Sequence, residues 1–335
     1  MSATQVTGDW LPVLFMGLMG LAMLIYVVLD GYDLGVGMWM ARANADERDV
    51  MVSSIGPFWD ANETWLVLGV GLLLIAFPKA HGVVLNALYL PVALMLLGLT
   101  LRGVAFDFRV KARDAHKALW NRAFIAGSTL ASLSQGWMLG RYVSGFADGG
   151  WALAFAALIA VALSAAYLLL GAGWLIIKTE GALQQRAAGW ARLVWLPVVL
   201  GIGLISAITP VVSSTVRERW FTMPDFIALL PIPLVTLGAL IAVRVVLNSK
   251  LVLDRLSALP FWGTVLVCVM AGFGLAYSLF PYVVMDRLTV WQAASARASL
   301  EVILIGVGIT LPAILGYTFF AYRVFRGKAT ALSYG

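Results

Sequence analysis

Long apolar runs recur along this chain of 335 residues, and they constrain its fold more than any other feature. A helix needs roughly 20 mostly apolar residues to cross a bilayer, whereas strands of a membrane barrel show short stretches of alternating polarity. The runs here are continuous, with 61% hydrophobic and only 12% charged residues overall. The sequence therefore predicts an all-α polytopic membrane protein with nine transmembrane helices, over residues 11–41, 57–77, 80–104, 119–140, 151–177, 193–214, 222–246, 260–283 and 299–323.

The basic residues predict the orientation of these spans. With an outward N-terminus, 17 of the 23 Lys and Arg residues fall on the inner side and the other 6 on the outer side. Cytoplasmic loops carry the excess of basic residues in membrane proteins, so we expect a cytoplasmic C-terminus. The net charge of +6 then reflects topology and not nucleic-acid binding. No Lys or Arg precedes the first run and no small-residue cleavage site follows it, which predicts a retained helix and not a signal peptide.

Four acidic residues lie between Leu29 and Trp65, in the strings LDGYDLGVGMW and GPFWDANETW. Carboxylates within or at the edge of hydrocarbon are costly unless they are paired, hydrated or protonated, so they point to an ion or proton path. Within each string the two acids are three residues apart, which places them on one face of a helix. The four residues are Asp30, Asp33, Asp60 and Glu63.

Other residues near these acids extend the candidate site. Arg102 ends the third predicted span on the same side of the membrane, and we expect it to serve as their counter-ion. Trp59 and Trp65 are aromatic residues of the type found at membrane interfaces, and we expect them to wall the site from lipid. The string ARANADERD between the first two spans is predicted to be a solvated loop.

Ordinary roles remain open for the same acids. Asp30 and Asp33 could cap a helix or pair with Arg42. Asp60 and Glu63 could be acids of a first helical turn, where the helix dipole favours negative charge by about 0.3–1 kcal/mol. The sequence contains no metal-ligand spacing, phosphate loop or nucleophile–base arrangement, and its single Cys268 excludes disulfides and a cysteine metal site.

Four strings in order resemble subunit II of the cytochrome bd family of quinol oxidases: LDGYDLGVGMW, GPFWDANETW, LRGVAFDFR and GFGLAYSLFPYVV. The resemblance covers essentially the whole chain, and QGWMLGRYV is similar to the cyanide-insensitive branch of the family. It implies two four-helix bundles and one peripheral helix. A single integral membrane domain, 1–335, would then comprise a first bundle at 1–140, a second at 141–283, and the ninth helix with a cytoplasmic tail at 284–335.

The resemblance also implies a location in the bacterial inner membrane, an electrogenic quinol oxidase and a set of partners. In that family, subunit I holds haem b and haem d, or only haem b, and oxidises ubiquinol or menaquinol, and some members add a small single-helix subunit. Membrane lipids are further partners, and a structural quinone in this chain is left open. Independently, haems need several axial ligands within spans, whereas the only histidines here, His81 and His116, lie at loop edges. We therefore expect no haem to be ligated by this chain.

The family's roles map onto individual positions of this sequence. Asp60 matches a proton-entrance group that leads from the cytoplasm toward the haems of subunit I, and Asp33 and Asp30 match the acids beside it. Arg102 matches the basic residue of the RG motif, and Trp65 matches an aromatic residue beside a lateral oxygen entrance. The resemblance thus implies a haem-free subunit that stabilises subunit I and conducts protons, with Glu63 as a further member of the path.

One departure and two competing classes accompany this hypothesis. Asn121 stands where some relatives carry an aspartate, and an amide cannot exchange a proton at neutral pH, so a relay through that position is not expected. A secondary transporter or ion channel also uses intramembrane acids, but it would favour acids near the bilayer midplane and broken helices in both halves. A purely structural subunit, whose acids only secure assembly, is the other alternative.

Overall fold

The protein is almost entirely helical in the computed structural model, which describes residues 8–112 and 114–329. The residues before Gly8 and the basic residue Arg113, both used in the orientation argument, lie outside the described residues. The elements are α1 (Trp10–Trp39), α2 (Ala45–Ile55), α3 (Trp59–Ala76), α4 (Pro78–Lys111), α5 (Asp114–Val143), α6 (Gly150–Lys178), α7 (Gly181–Val212), α8 (Ser214–Phe221), α9 (Asp225–Leu229), α10 (Pro231–Leu247), α11 (Leu259–Leu279), β1 (Tyr282–Val284), β2 (Leu288–Thr289), α12 (Val290–Ala293) and α13 (Arg297–Val324), with short 3-10 helices at Met40–Arg42 and Lys250–Leu253.

Eight segments of the described chain are helices long and apolar enough to cross a membrane, which confirms a polytopic helical protein but not the predicted count of nine. The remaining predicted span, 119–140, lies within α5, a helix of 30 residues that is more polar than these eight segments. Its polar side chains include Ser128, Ser132 and Gln135, all of them buried. Helix α5 therefore directs polar groups toward neighbouring helices, which lowers its overall hydropathy without exposing them to lipid.

Helix α1 lies at the centre of the helix packing, because it contacts α3, α5, α6 and α11. Its contact with α6 brings the two backbones together at glycines. A Cβ atom added to Gly35 would lie 1.9 Å from the carbonyl oxygen of Tyr167, and one added to Gly171 would lie 2.5 Å from the carbonyl carbon of Gly35. Small residues allow such close approach between membrane helices. This contact joins the region before residue 140 to the region after it.

The predicted loop ARANADERD is wrong, because most of it belongs to α2. The Asn44 side chain accepts a hydrogen bond from the Glu47 amide at 2.9 Å, and the Glu47 carboxylate accepts one from the Asn44 amide at 2.9 Å. This capping box satisfies two free N–H groups at the helix start. Glu47 also pairs with Arg186 of α7 at 2.6 Å, and Asp49 pairs with Arg109 of α4 at 2.5 Å. Tertiary ion pairs therefore hold α2 against the bundle.

Candidate functional site

An arginine with two acidic partners forms the centre of the candidate site. Arg102 of α4 places its Nη1 atom 2.7 Å from Oδ1 of Asp30 on α1. Its Nη2 atom donates a hydrogen bond to Oε1 of Glu63 on α3. The side chains of Arg102 and Asp30 are 1% and 0% exposed, and that of Glu63 is 26% exposed. Three helices that are separate in sequence thus meet through one buried guanidinium.

The local fold explains why these residues meet. Helix α1 continues through LDGYDLGVGMW to Trp39, so Asp30 lies in its last third. Helix α3 begins at Trp59 after the Gly56-Pro57 step, which places Glu63 in its second turn at the same end of the bundle. Asp30 pairs with Arg102 and not with Arg42, whose guanidinium instead lies 5.7 Å from the centre of the Trp39 ring.

Asp60 lies apart from this buried group. It belongs to the first turn of α3, one helical turn before Glu63, and its side chain is exposed on this chain. The spacing of three residues therefore puts one acid at the surface and the other against Arg102. The Asp60 carboxylate therefore lies between the buried cluster and the exposed surface of this chain.

Asp33 is linked to a second polar group, which the sequence did not predict. Its Oδ2 atom accepts a hydrogen bond from Nδ2 of Asn62 at 2.8 Å, and both side chains are 0% exposed. Asn62 Nδ2 also lies 2.9 Å from the hydroxyl of Tyr32, and Asn62 Oδ1 accepts a hydrogen bond from Tyr322 of α13 at 3.1 Å. Asn62 stands inside the string WDANETW and could have been suspected as a polar residue within a span. Tyr322 carries no comparable signal, because it is an aromatic residue at the end of a distant helix.

A further chain of polar side chains extends from α1 into the bundle. The hydroxyl of Tyr26, one helical turn before Asp30, accepts a hydrogen bond from Nε2 of Gln135 at 2.7 Å. The hydroxyl of Tyr167 on α6 donates to Oε1 of the same glutamine at 2.7 Å. All three side chains are buried. Sequence reasoning missed them because single tyrosines and glutamines in apolar spans have no distinguishing pattern.

The two tryptophans of the predicted wall occupy different environments. The Trp59 ring lies 5.8 Å from the guanidinium carbon of Arg102, a distance compatible with a cation–π contact. Trp65 is 1% exposed and packs with Ala22 and Tyr26, so on this chain it is a core residue. Its indole N–H has no hydrogen-bond partner among the residues that the structure describes. Trp59 thus covers the arginine, while Trp65 lies deeper along α3.

The charges of the site determine its chemistry. Asp30 and Glu63 share one guanidinium, and the nearby Asp33 carboxyl is bonded to Asn62 instead. Removing an unpaired charge from water costs several kcal/mol, so a buried group with more acids than bases is suited to binding and releasing protons. Within the described residues, no group of three or more His, Cys, Asp and Glu side chains could hold a metal ion.

The fold and the site together define a polytopic α-helical membrane protein with a buried acid–arginine cluster at one end of its helices. The family model described as "Cytochrome bd terminal oxidase subunit II" matches residues 11–325, and the chain belongs to this family. It is therefore a multi-pass inner-membrane subunit of a respiratory terminal oxidase of the cytochrome bd quinol oxidase type. Membership implies haem groups in the complex and a subunit I partner.

Relatives and a solved structure agree with this assignment. The chain is 28% identical to "Cytochrome bd ubiquinol oxidase subunit 2" of Bacillus subtilis strain 168, covering 91% of this chain and 93% of the relative. It is 26% identical to "Cytochrome bd-I ubiquinol oxidase subunit 2" of Escherichia coli K12, covering 93% of both chains. A chain in the structure of bd oxidase from Geobacillus thermodenitrificans has the same fold, with a TM-score of 0.76, 16% identity, and coverage of 95% of this chain and 99% of that chain.

Proposed function

We propose that this chain is a haem-free subunit that stabilises subunit I and conducts cytoplasmic protons toward its oxygen-reducing site. The proposal rests on one observation: exposed Asp60 lies one helical turn from Glu63, and Glu63 is paired with buried Arg102. A proton taken up at Asp60 would reach Glu63 one helical turn away, and would then pass to Asp30 through water, while the Arg102 guanidinium stays charged and holds both carboxylates. Asp33 would serve as a neighbouring acid that adjusts the charge of the group.

The burial of the carboxylate oxygens supports a proton role. Oδ1 of Asp30 faces the Arg102 guanidinium at 2.7 Å, whereas Oδ2 of Asp30 and Oδ1 of Asp33 are buried and form no hydrogen bond of normal geometry in the described part of the chain. Buried carboxylate oxygens normally have donors, and a protonated carboxyl or a bridging water supplies what such an oxygen lacks. These atoms are therefore suited to exchange protons with water inside the protein.

The positions of the two histidines support the haem-free assignment. His116 is exposed and His81 is partly exposed, and each lies near the start of its helix, α5 and α4 respectively. Neither residue is placed between packed helices, where an axial ligand would have to lie. We therefore place haem b and haem d, or only haem b, in subunit I, together with the quinol site. The division into two bundles with a peripheral α13, an additional small subunit and membership of the cyanide-insensitive branch are part of the same proposal.

The proposed orientation places the acid cluster at the cytoplasmic end of the helices. Protons consumed in oxygen reduction would then come from inside, while protons released by quinol would leave outside. Charge would be separated across the membrane without pumping.

The replacement Asp60→Asn tests the proton path. We expect oxygen reduction by the assembled complex to slow by about 100-fold or more, the range in which removal of a proton-transfer group acts, while haem content stays normal. Asp46→Asn is the matched control, because Asp46 is an exposed acid near the same end of the bundle and outside the cluster. Unchanged turnover in a fully assembled Asp60→Asn complex would overturn the path and leave the purely structural alternative.

The haem-free assignment has its own test. This chain, expressed without subunit I and purified from membranes, should show no haem absorption. A stoichiometric haem spectrum would contradict the assignment. Co-purification of the tagged chain with a haem protein distinguishes an oxidase subunit from a free-standing transporter or channel.

A further inference from the structure

Helix α13 reaches the acid cluster through its last turns, although the family resemblance implies only a ninth, peripheral helix. The hydroxyl of Tyr322 lies 2.6 Å from the hydroxyl of Tyr32 and donates a hydrogen bond to Oδ1 of Asn62. The Tyr322 ring stacks on Phe58, just before α3, with 4.5 Å between the ring centres. The side chain is therefore held both by its ring and by its hydroxyl.

Three of these groups form a closed ring of hydrogen bonds with a defined direction. Asn62 Nδ2 donates to the Tyr32 hydroxyl at 2.9 Å, and Tyr322 donates to Asn62 Oδ1 at 3.1 Å. Since the Tyr322 proton is used in that bond, the Tyr32 hydroxyl must donate to Tyr322. Each hydroxyl thus donates once and accepts once.

This ring selects one orientation of the Asn62 amide. A planar amide presents its oxygen on one side and its N–H donors on the other. With Oδ1 held by Tyr322, the nitrogen faces Oδ2 of Asp33 at 2.8 Å. Without the Tyr322 hydroxyl, Oδ1 of Asn62 loses its donor, and the amide is held only through its nitrogen, which could then tilt away from Asp33 toward the Leu29 carbonyl oxygen at 3.3 Å or the Tyr32 hydroxyl at 2.9 Å. The position and hydrogen bonding of the Asp33 carboxyl therefore depend on a residue that does not touch it.

Two lysines hold the end of α13 against the end of α6 through reciprocal hydrogen bonds. Lys178, the last residue of α6, donates to the carbonyl oxygens of Phe325 and of Gly327, the latter at 2.9 Å. In return, Nζ of Lys328 lies 3.0 Å from the carbonyl oxygen of Thr179. Cations stabilise helix C-termini because the last carbonyls lack intrahelical partners. The exchange fixes the end of α13 against α6 and so fixes Tyr322.

We propose that Tyr322 is a positioning residue for the Asp33 carboxyl, acting through the Asn62 amide, and that Lys178 and Lys328 hold it in register. This inference rests on the proposed function, because it assigns the ninth helix a part in the proton-conducting cluster. It differs from simple packing, since packing requires the Tyr322 ring and positioning requires its hydroxyl.

The replacement Tyr322→Phe separates the two roles, because it keeps the ring and removes only the hydroxyl. Subtracting the infrared spectrum of the purified Asp33→Asn complex from that of the wild-type complex isolates the bands of the Asp33 side chain. These bands are identified whether the group is a protonated carboxyl or a carboxylate. We expect these bands to shift in Tyr322→Phe. Tyr317→Phe is the matched control, because Tyr317 lies on the same helix and is 61% exposed, and its spectrum should equal that of wild type.

Turnover provides the second readout. We expect Tyr322→Phe to slow oxygen reduction about fivefold at normal haem content, the factor that corresponds to one hydrogen bond of about 1 kcal/mol. Unshifted Asp33 bands in an assembled Tyr322→Phe complex would overturn the positioning role. Shifted bands in Tyr322→Phe with normal turnover in Asp60→Asn and Asp33→Asn would confirm the positioning and contradict the proton path. The two proposals can therefore fail separately.

Discussion

Nη1 of Arg102 lies 2.7 Å from Oδ1 of Asp30, and this pair joins α4 to α1 where both side chains are almost completely buried. Arg102 also donates to Glu63 and therefore links α3 to the same point. A buried ion pair contributes little net stability when intact, because desolvation offsets the attraction. Removing one partner is different, since it leaves a buried charge without compensation.

We predict that Arg102→Met destabilises the complex by about 3–5 kcal/mol, the usual cost of breaking a buried pair from one side. Thermal unfolding of the detergent-solubilised complex and its assembled yield would measure the effect. Arg297→Met is the control, because Arg297 pairs with Asp9 and Glu301 at the surface, where ion pairs contribute little. Equal stability of the two variants would show that Arg102 is not required as a counter-ion.

The contact between α1 and α6 predicts a strong effect of a single methyl group. Gly35→Ala would place a Cβ atom 1.9 Å from the backbone oxygen of Tyr167, which cannot move away without displacing α6. We expect a loss of about 1–3 kcal/mol or more from such overpacking. Gly17→Ala on the same helix meets nothing within 4 Å and should be neutral or slightly stabilising. Matching melting temperatures for the two variants would refute the close contact.

The ion pair between Asp49 and Arg109 predicts how α2 is held. Arg109 also donates through Nε to Oδ1 of Asn121 at 2.6 Å, so it joins α2, α4 and α5. Asp49→Ala should increase hydrogen exchange over residues 45–55, because α2 loses its attachment to α4. Asp46→Ala removes an exposed acid from the same helix and should leave exchange unchanged. Equal exchange in both variants would mean that the ion pair between Asp49 and Arg109 is not needed to hold α2.

The distribution of basic residues predicts the orientation of the chain. A reporter that is active only in the cytoplasm should work when it is fused after Lys328, because the inner-side loops, helix ends and C-terminal tail carry 17 of the 23 basic residues. The same reporter inserted between Ser144 and Gly149, in a loop at the opposite end of the helices, should be inactive. The reverse pattern of activity would invert the orientation and place the acid cluster outside.

The ends of the membrane helices could largely be predicted from hydropathy, but their partners could not. In a bilayer, lipid-facing and core-facing residues are both apolar, so the sequence pattern does not reveal which face of a helix meets a neighbour. The packing of Gly35 against Tyr167 is invisible for this reason. Helix α5 shows the opposite effect, because polar residues such as Gln135 make it a weak span by composition although they are buried between helices.

The sequence by itself determined that this protein spans a membrane and to which family it belongs. It also identified the residues able to carry charge at one end of the helices. Those properties follow from composition and from motifs within single segments. Only the tertiary structure decided that Arg102 contacts both Asp30 and Glu63. It also decided that Asp60 lies at the surface and that Tyr322 donates a hydrogen bond to Asn62. The physical reason is that these contacts join helices far apart in the chain, and the choice among polar partners is made by backbone positions that no local pattern encodes.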